Sequence, residues 1–374
     1  MEAPPSYEVN ADFDAELWRN AQGGLGIGNR FLDHGIVSLT VNGETALGVP
    51  SLSFYGSTLF TNGQHINDDL IGSVQGISNI EAPAALRLYE SWAEWLYGAN
   101  KNSIKFGLYD VNSEFDTIET AGLFINPSHG IAPDFSQSGL NGPSIFPSTS
   151  LGLRSWHQRG PWTLQLAVLD GIPGDPDHET RSTIKFGKHD GLLLLAETGI
   201  ATESGLRTAV GYWRYTAKFD DLLATDADGV AIQRDNNHGY YGFVDARLKA
   251  QQDDSTGLNA YIRYGKANDD INAVSSYLGG GIVMTGLPGR ASDQLGLAVG
   301  TAMAGTPYRE AQASQSLATT HHERITELTY FTPITPWLSL QPDIQYVEHA
   351  GFDAGVGHAW VFGLRLELTA AVRK

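Results

Sequence analysis

The sequence predicts an all-β protein: a transmembrane antiparallel β-barrel of about 16 strands (14–16), with a short irregular or helical N-terminal segment and one in-folded loop. Three observations carry that expectation. Apolar and polar residues alternate with period two in segment after segment, connections alternate between short and long, and no apolar run approaches the ~20 residues of a membrane helix. The clearest alternation lies in TELTYFTPITPWLSLQPDIQYVEH (326–349) and its continuation. Leu338, Leu340, Ile344 and Tyr346 share one face against Ser339, Gln341, Asp343 and Gln345. Beyond a glycine-rich turn, Trp360, Phe362, Leu364, Leu366 and Leu368 oppose Val361, Gly363, Arg365, Glu367 and Thr369. Such a sheet separates two media. In a soluble sandwich the polar face meets bulk water; in a membrane barrel the apolar face meets lipid and the polar face a wet lumen.

Taken in order, residues 1–34 read as an N-terminal periplasmic segment, irregular or weakly helical, ahead of a single barrel domain over 35–374. The glycines of GGLGIGNRFLDHGI (23–36) lack dinucleotide-loop spacing, and no strand is expected before them. From Gly35 onward fifteen candidate strands follow: 35–48, 50–63, 84–98, 102–115, 149–160, 161–171, 189–203, 205–221, 238–253, 257–269, 274–287, 292–305, 323–334, 337–350 and 357–370. Within them Leu258, Ala260, Ile262 and Tyr264 oppose Asn259, Tyr261, Arg263 and Gly265. Trp162, Leu164, Leu166 and Val168 likewise oppose Thr163, Gln165 and Ala167. Tight turns such as Arg159-Gly160-Pro161 and Glu203-Ser204-Gly205 contrast with long connections at 116–148, 172–188, 222–237 and 306–322. Short turns at one end and long loops at the other are the asymmetry of an outer-membrane barrel. The loop 116–148, with four prolines, is too long for a plain connector, and part of it is expected to fold into the lumen.

Composition narrows the function. The net charge of −18 opposes binding to nucleic acid, and the absence of cysteine excludes thiolate metal sites and thiol nucleophiles. Met1-Glu2-Ala3-Pro4-Pro5 has neither a basic start nor an apolar core, so the reading expects a cytosolic chain or a mature form without its leader. No cofactor, metal or catalytic residue is expected. A G-x-S-x-G elbow is missing, His157 and His189 lie near serines without further pattern, and His321-His322-Glu323 lacks helical H-E-x-x-H spacing. Asp175, Asp177, His178 and Glu179 could hold Ca²⁺ only loosely, because regular loop spacing is absent.

The chain resembles the carbohydrate-selective (OprB-type) porins of Gram-negative outer membranes along nearly its whole length. The resemblance rests on ISNIEAPAALRLYESWAEW (77–95), KFGLYDVNSEFDTIETAGLFINPSHG (105–130), GPSIFPSTSLGLR (142–154), LAVLDGIPGD (166–175), VGYWRYTAKFDD (210–221) and the C-terminal block. It implies a sixteen-stranded barrel that passes glucose-like monosaccharides by passive diffusion, in contact with outer-membrane lipid, as monomer or homotrimer. The chain departs from the family in lacking an apparent second strand, in ending on AAVRK (370–374) instead of an aromatic residue, and in its missing leader.

A sugar presents vicinal hydroxyls and apolar C–H faces, so its passage calls for planar charged groups beside aromatic rings. Candidate pore-lining residues are Arg87, Glu90, Glu94, Arg154, Trp156, Asp245, Arg247, Arg263, Arg365 and Glu367. The bland alternative for each is a ladder of ion pairs that keeps the lumen wet. Two competing functions are a soluble or membrane carbohydrate-binding β protein without channel activity, and an outer-membrane barrel enzyme.

Overall fold

Strict alternation of side chains forces each strand to choose one face for lipid and one for the lumen, and the strand sequences make the same choice all round the wall. The computed structural model describes residues 5–99, 101–178, 180–182, 184–185, 187–250 and 256–374. The wall is formed by β1 (Tyr7–Gly24), β2 (Gly28–Asn42), β3 (Leu52–Thr61), β4 (Ala85–Tyr97), β5 (Asn102–Tyr109), β6 (Ser150–Arg159), β7 (Trp162–Asp170), β8 (Leu192–Ala201) and β9 (Leu206–Tyr215). After a small hairpin, β10 (Phe219–Thr225) and β11 (Ala231–Arg234), it continues through β12 (His238–Lys249), β13 (Gly257–Ala267), β14 (Val274–Leu287), β15 (Arg290–Ala304), β16 (His322–Thr335), β17 (Leu338–Glu348) and β18 (Gly357–Arg373). Among the described residues, sixteen strands pair antiparallel into one closed barrel, which β1 seals by pairing with β18.

The closure corrects the reading of residues 1–34. Tyr7–Gly24 is a wall strand, and Gly28–Asn42 is the second, so no strand is missing. The strand expected at 35–48 begins at Gly28, and Gly23 and Gly24, both at positive φ, make the tight turn before it. The physical reason for the misreading is that the inward face of β1 carries Glu8, Asn10, Asp12, Asp14 and Glu16. These four acids and one amide mask an outward row of Tyr7, Val9, Phe13 and Leu17, each exposed by more than a third. The seam then locks through side chains. Arg365 Nε donates to Glu16 at 2.6 Å, both buried, and Trp18 packs flat over Gly363, where a Cβ would lie 2.4 Å from the ring.

At one end most described connections are tight (98–101, 160–161, 202–205, 288–289, 336–337, with 43–51 longer), and at the other five are long (62–84, 110–149, 171–191, 216–237, 305–321) beside the shorter 25–27, 268–273 and 349–356. By the usual polarity of such barrels the long loops face outward from the cell. Two of them turn back into the barrel. The longer starts at Asp110, because β5 stops at Tyr109 rather than running to 115. The other, 62–84, was not singled out by sequence. Apolar clusters pin both to the wall: Trp18, Leu32, Ile66, Ile71, Ile77 and Ile125 form one, and Phe135 stacks on Trp213 at 5.4 Å in another. Replacing Gly363 with valine should force Trp18 out of its rotamer and lower seam stability by about 1–3 kcal/mol. The expected readout is a lower temperature for conversion of folded to unfolded bands on unboiled gels, with Trp18→Ala/Gly363→Val less sensitive to the valine than the parent background.

Candidate functional site

A backbone segment inside a barrel has no strand beside it, so its N–H groups need other acceptors. Carboxylates on the inner wall supply them. Glu327 of β16 accepts from the N–H of Ile125 at 2.7 Å and of Asn126 at 3.1 Å. On the same strand Glu323 accepts from Val74 at 2.9 Å, Gln75 at 3.1 Å and Gly351 at 2.7 Å. Glu197 of β8 takes the N–H of Asp116 at 2.8 Å, and Asp245 of β12 that of Thr120 at 3.1 Å. Gln345 of β17 completes the set, donating to the carbonyl of Ile77 at 2.9 Å.

With both loops held this way, the lumen divides into spaces above and below the segment around Gly122. A cavity of about 630 Å³ opens on the long-loop side between the two loops, lined by Gln75, Asn79, Glu81, Asp110, Phe124 and Phe146 among others. A second, of about 800 Å³, lies on the short-turn side and is lined by Glu119, Arg207, Asp245, Arg247, Gln341 and Glu367. Gly122 belongs to the lining of both, and a Cβ added there would meet nothing within 4 Å. A side cavity of about 440 Å³ adjoins the lower space through Arg207.

The sequence-selected residues fall into four groups, the last of them Arg87 with Glu90. Glu94, Arg154 and Trp156 come together around the side cavity. There Arg154 donates to Glu94 at 2.9 Å and, through Nε, to Glu114 at 2.7 Å, while Lys105 pairs with Glu114 at 2.6 Å. Asp245, Arg247 and Glu367 border the lower cavity. Arg263 and Arg365 are sealed under the loops: Arg263 is 3% exposed, clamps Asp116 (2.6 Å from Nη2) and pairs with Asp134, and Arg365 joins Glu16 and Asn79. Their chemistry is that of anchors, since a buried guanidinium with two carboxylates is costly to leave half-paired.

Arg87 and Glu90 are three apart and would lie on opposite faces of a regular strand. A bulge at Tyr89, where the pairing skips from Glu90 opposite Ser57 to Leu88 opposite Thr58, restores both to the inside. Arg87 then donates to Ser148 of the longer loop at 3.1 Å, and Glu90 accepts from Trp92 Nε1 at 3.0 Å.

Sequence reasoning missed Glu16, Glu197, Glu323, Glu327, Arg207 and the whole loop 62–84. The signal was present as acids at inward register, such as Glu323 and Glu327 flanking Ile325. In loop 62–84, His65 Nδ1 lies 3.5 Å from Glu81 and 3.7 Å from Asp68, a trio that a cation could bridge. Glu81 is already engaged, taking the N–H of Asn67 at 3.1 Å, and burial pushes its carboxyl up to about 7. In the loop 171–191, Asp175 pairs with Lys185 at 2.7 Å and His178 at 3.2 Å, and Glu179 lies outside the described residues.

Comparison with known proteins bears on the same architecture. The family model described as carbohydrate-selective porin, OprB family, matches residues 6–369. Porin B of Pseudomonas aeruginosa is 22% identical over 403 aligned residues, covering 96% of this chain and 87% of that protein. Among solved structures, the high-pH structure of Pseudomonas putida OprB superposes with a TM-score of 0.87 at 18% identity, covering 98% of this chain and 94% of the other. A loop-deletion mutant of OmpT, an outer membrane protein of Vibrio cholerae, gives a TM-score of 0.57 at 10% identity, with 98% and 100% covered. At these identities the two structures speak for the fold.

Removing the Glu327 carboxylate leaves two buried N–H donors without acceptors, at about 1–3 kcal/mol each. Glu327→Ala should therefore loosen the 110–149 loop. The expected outcome is larger and noisier single-channel current than in the parent, together with protease cleavage inside the loop.

Proposed function

Because this chain belongs to the OprB family of carbohydrate-selective porins, we propose that it lets glucose-like sugars cross the outer membrane by passive diffusion past Gly122. The family and the barrel make it an outer-membrane channel rather than an enzyme. The observation that carries the finer reading is the pair of cavities meeting at one glycine of a clamped loop. A sugar arriving from the long-loop side meets Phe124 and Phe146 together with Gln75, Asn79 and Asp110. Rings suit its C–H faces, and amides and carboxylates its hydroxyl pairs. Beyond Gly122 it meets Glu119, Arg207, Asp245, Arg247 and Glu367, groups of both signs. Three acids facing two arginines, one unit from balance, favour a polar uncharged solute over either class of ion. Contacts of this kind are individually weak in a wet passage, as flux requires.

In this reading Glu94, Arg154 and Trp156 tune the side cavity, Asp245, Arg247 and Glu367 line the exit, and Arg87, Glu90, Arg263 and Arg365 act by fixing the loops. Each barrel encloses its own passage, so conduction works equally in a monomer or a homotrimer. Planar-bilayer recordings test the proposal. Glucose should lower the conductance in a saturable manner, and liposomes containing the protein should swell in glucose faster than in a disaccharide of similar polarity. Gly122→Trp places a ring in the passage at a position whose added Cβ meets nothing within 4 Å. It should cut both conductance and swelling by on the order of tenfold or more while leaving the folded band on unboiled gels intact, as the absence of any backbone clash predicts. Conductance unaffected by glucose and by Gly122→Trp would refute this route.

A further inference from the structure

The outer rim over β16, β17 and β18 carries a cluster that the passage does not use. Glu323 and Ile325 are buried in the interior, so their neighbours His322 and Arg324 face away from it. Val347 and Ala359 are buried likewise, which turns Tyr346, Glu348, His358 and Trp360 outward. The rings of His322 and His349 are 5.5 Å apart, those of His349 and His358 4.8 Å, and the Tyr346 hydroxyl meets His358 Nδ1 at 2.9 Å. His349 takes a left-handed backbone, φ 59°, at the end of β17, which sets its ring between the other two. Arg324 stands in register with Glu348, its guanidinium 3.7 Å from the carboxylate.

The height of this cluster follows from the rows beneath it. Tyr346 and Trp360 are paired across strands with rings 4.7 Å apart, and below them Ile344 pairs with Phe362 and Leu328 with Ile344. Aliphatic residues, then aromatics, then imidazoles and a guanidinium is the order of hydrocarbon, interface and headgroup. The end concerned is the long-loop end, facing the outer leaflet. In a chain of net charge −18, three imidazoles and an arginine gathered at headgroup height form a local exception.

We propose that this corner of the rim binds a phosphate group of the outer-leaflet glycolipid, through the imidazole N–H groups of His322, His349 and His358 and the guanidinium of Arg324. The inference rests on the outer-membrane location of the barrel and is independent of which sugar passes. A guanidinium and imidazoles donate charge-assisted hydrogen bonds to phosphate oxygens, and the Tyr346–Trp360 pair offers a face to the adjoining acyl chains. Phosphate, rather than a cation, suits a site with Arg324 in its midst. The groups that face the imidazoles are His321 and Arg324 from the β16 end, Tyr346 and Glu348 from β17, and Trp360 from β18. From β15 come Thr301 and Met303, in register with Arg324 and His322. The turn after β17 adds Asp353, whose carboxylate caps the N–H of Gly355 at 2.7 Å. Glu348 is thus the one carboxylate among these groups paired with Arg324.

Native mass spectrometry of detergent-purified protein with added lipid A tests the site. The parent should retain phosphorylated lipid A and should retain enzymatically dephosphorylated lipid A poorly. Arg324→Gln and the triple variant His322→Gln/His349→Asn/His358→Gln should each weaken retention about tenfold or more. Single-channel conductance of both variants should match the parent, which separates a lost site from a lost fold and from failure of the transport proposal. Equal retention of both lipid forms, or retention unchanged in the variants, would overturn the inference. Abolition of binding by a chelator would instead assign the imidazoles to a metal ion, and displacement by inorganic phosphate at equal concentration would assign them to free phosphate; each overturns it as well.

Discussion

Everything inside this barrel depends on one requirement: a polypeptide folded into the lumen must find acceptors for its own amides. The wall meets it with Glu197, Asp245, Glu323 and Glu327, each placed by strand register opposite a loop N–H. A carboxylate is well suited because one group accepts several bonds, as Glu323 does from Val74, Gln75 and Gly351. Water could serve the same amides, but it would leave the loops free to move. Ligation by fixed side chains converts two connections into parts of the wall.

The strongly acidic composition acquires a structural meaning from this. Much of the negative charge is turned inward, where Glu16, Asp116, Asp134, Glu197, Glu323 and Glu327 are buried. Part is neutralised by three arginines: Arg154 on Glu94 and Glu114, Arg263 on Asp116 and Asp134, Arg365 on Glu16. The remainder is spread over backbone dipoles. A passage bounded by such pre-engaged groups presents few unpaired charges, and this leaves hydroxyl-rich neutral solutes as its natural cargo.

The wall was legible in the sequence wherever outward residues were large and inward ones polar, as in 338–346, 360–368 and 258–264. It was illegible in β1, where alanines and acids weaken the contrast between faces, and the glycines at 23–26 suggested a lead-in rather than a turn. The longer in-folded loop announced itself by length and prolines. The shorter one, 62–84, did not, because its burial depends on partners some 250 positions away, as when Ser73 bonds Glu323. Among site residues, type and strand parity placed Arg154, Arg263 and Arg365 at the lumen side. What parity could not foresee was that loop carboxylates at 114, 116 and 134 would claim two of them. The bulge at Tyr89 marks another limit: a one-residue irregularity decided that Arg87 and Glu90 share a face.

The seam joins residues at opposite ends of the chain, with Glu16 bound to Arg365 across 349 positions and the amides of Ser6 and Tyr7 donating to the carbonyl of Lys374. No nascent portion of the polypeptide can therefore complete the cylinder. Until the final strand has been synthesised and delivered, the first keeps an open edge of unsatisfied N–H and C=O groups, a hazard for mispairing with other chains. Biogenesis must accordingly shelter that edge throughout transit, and the topology makes docking of the two extremities the last, committing step of assembly.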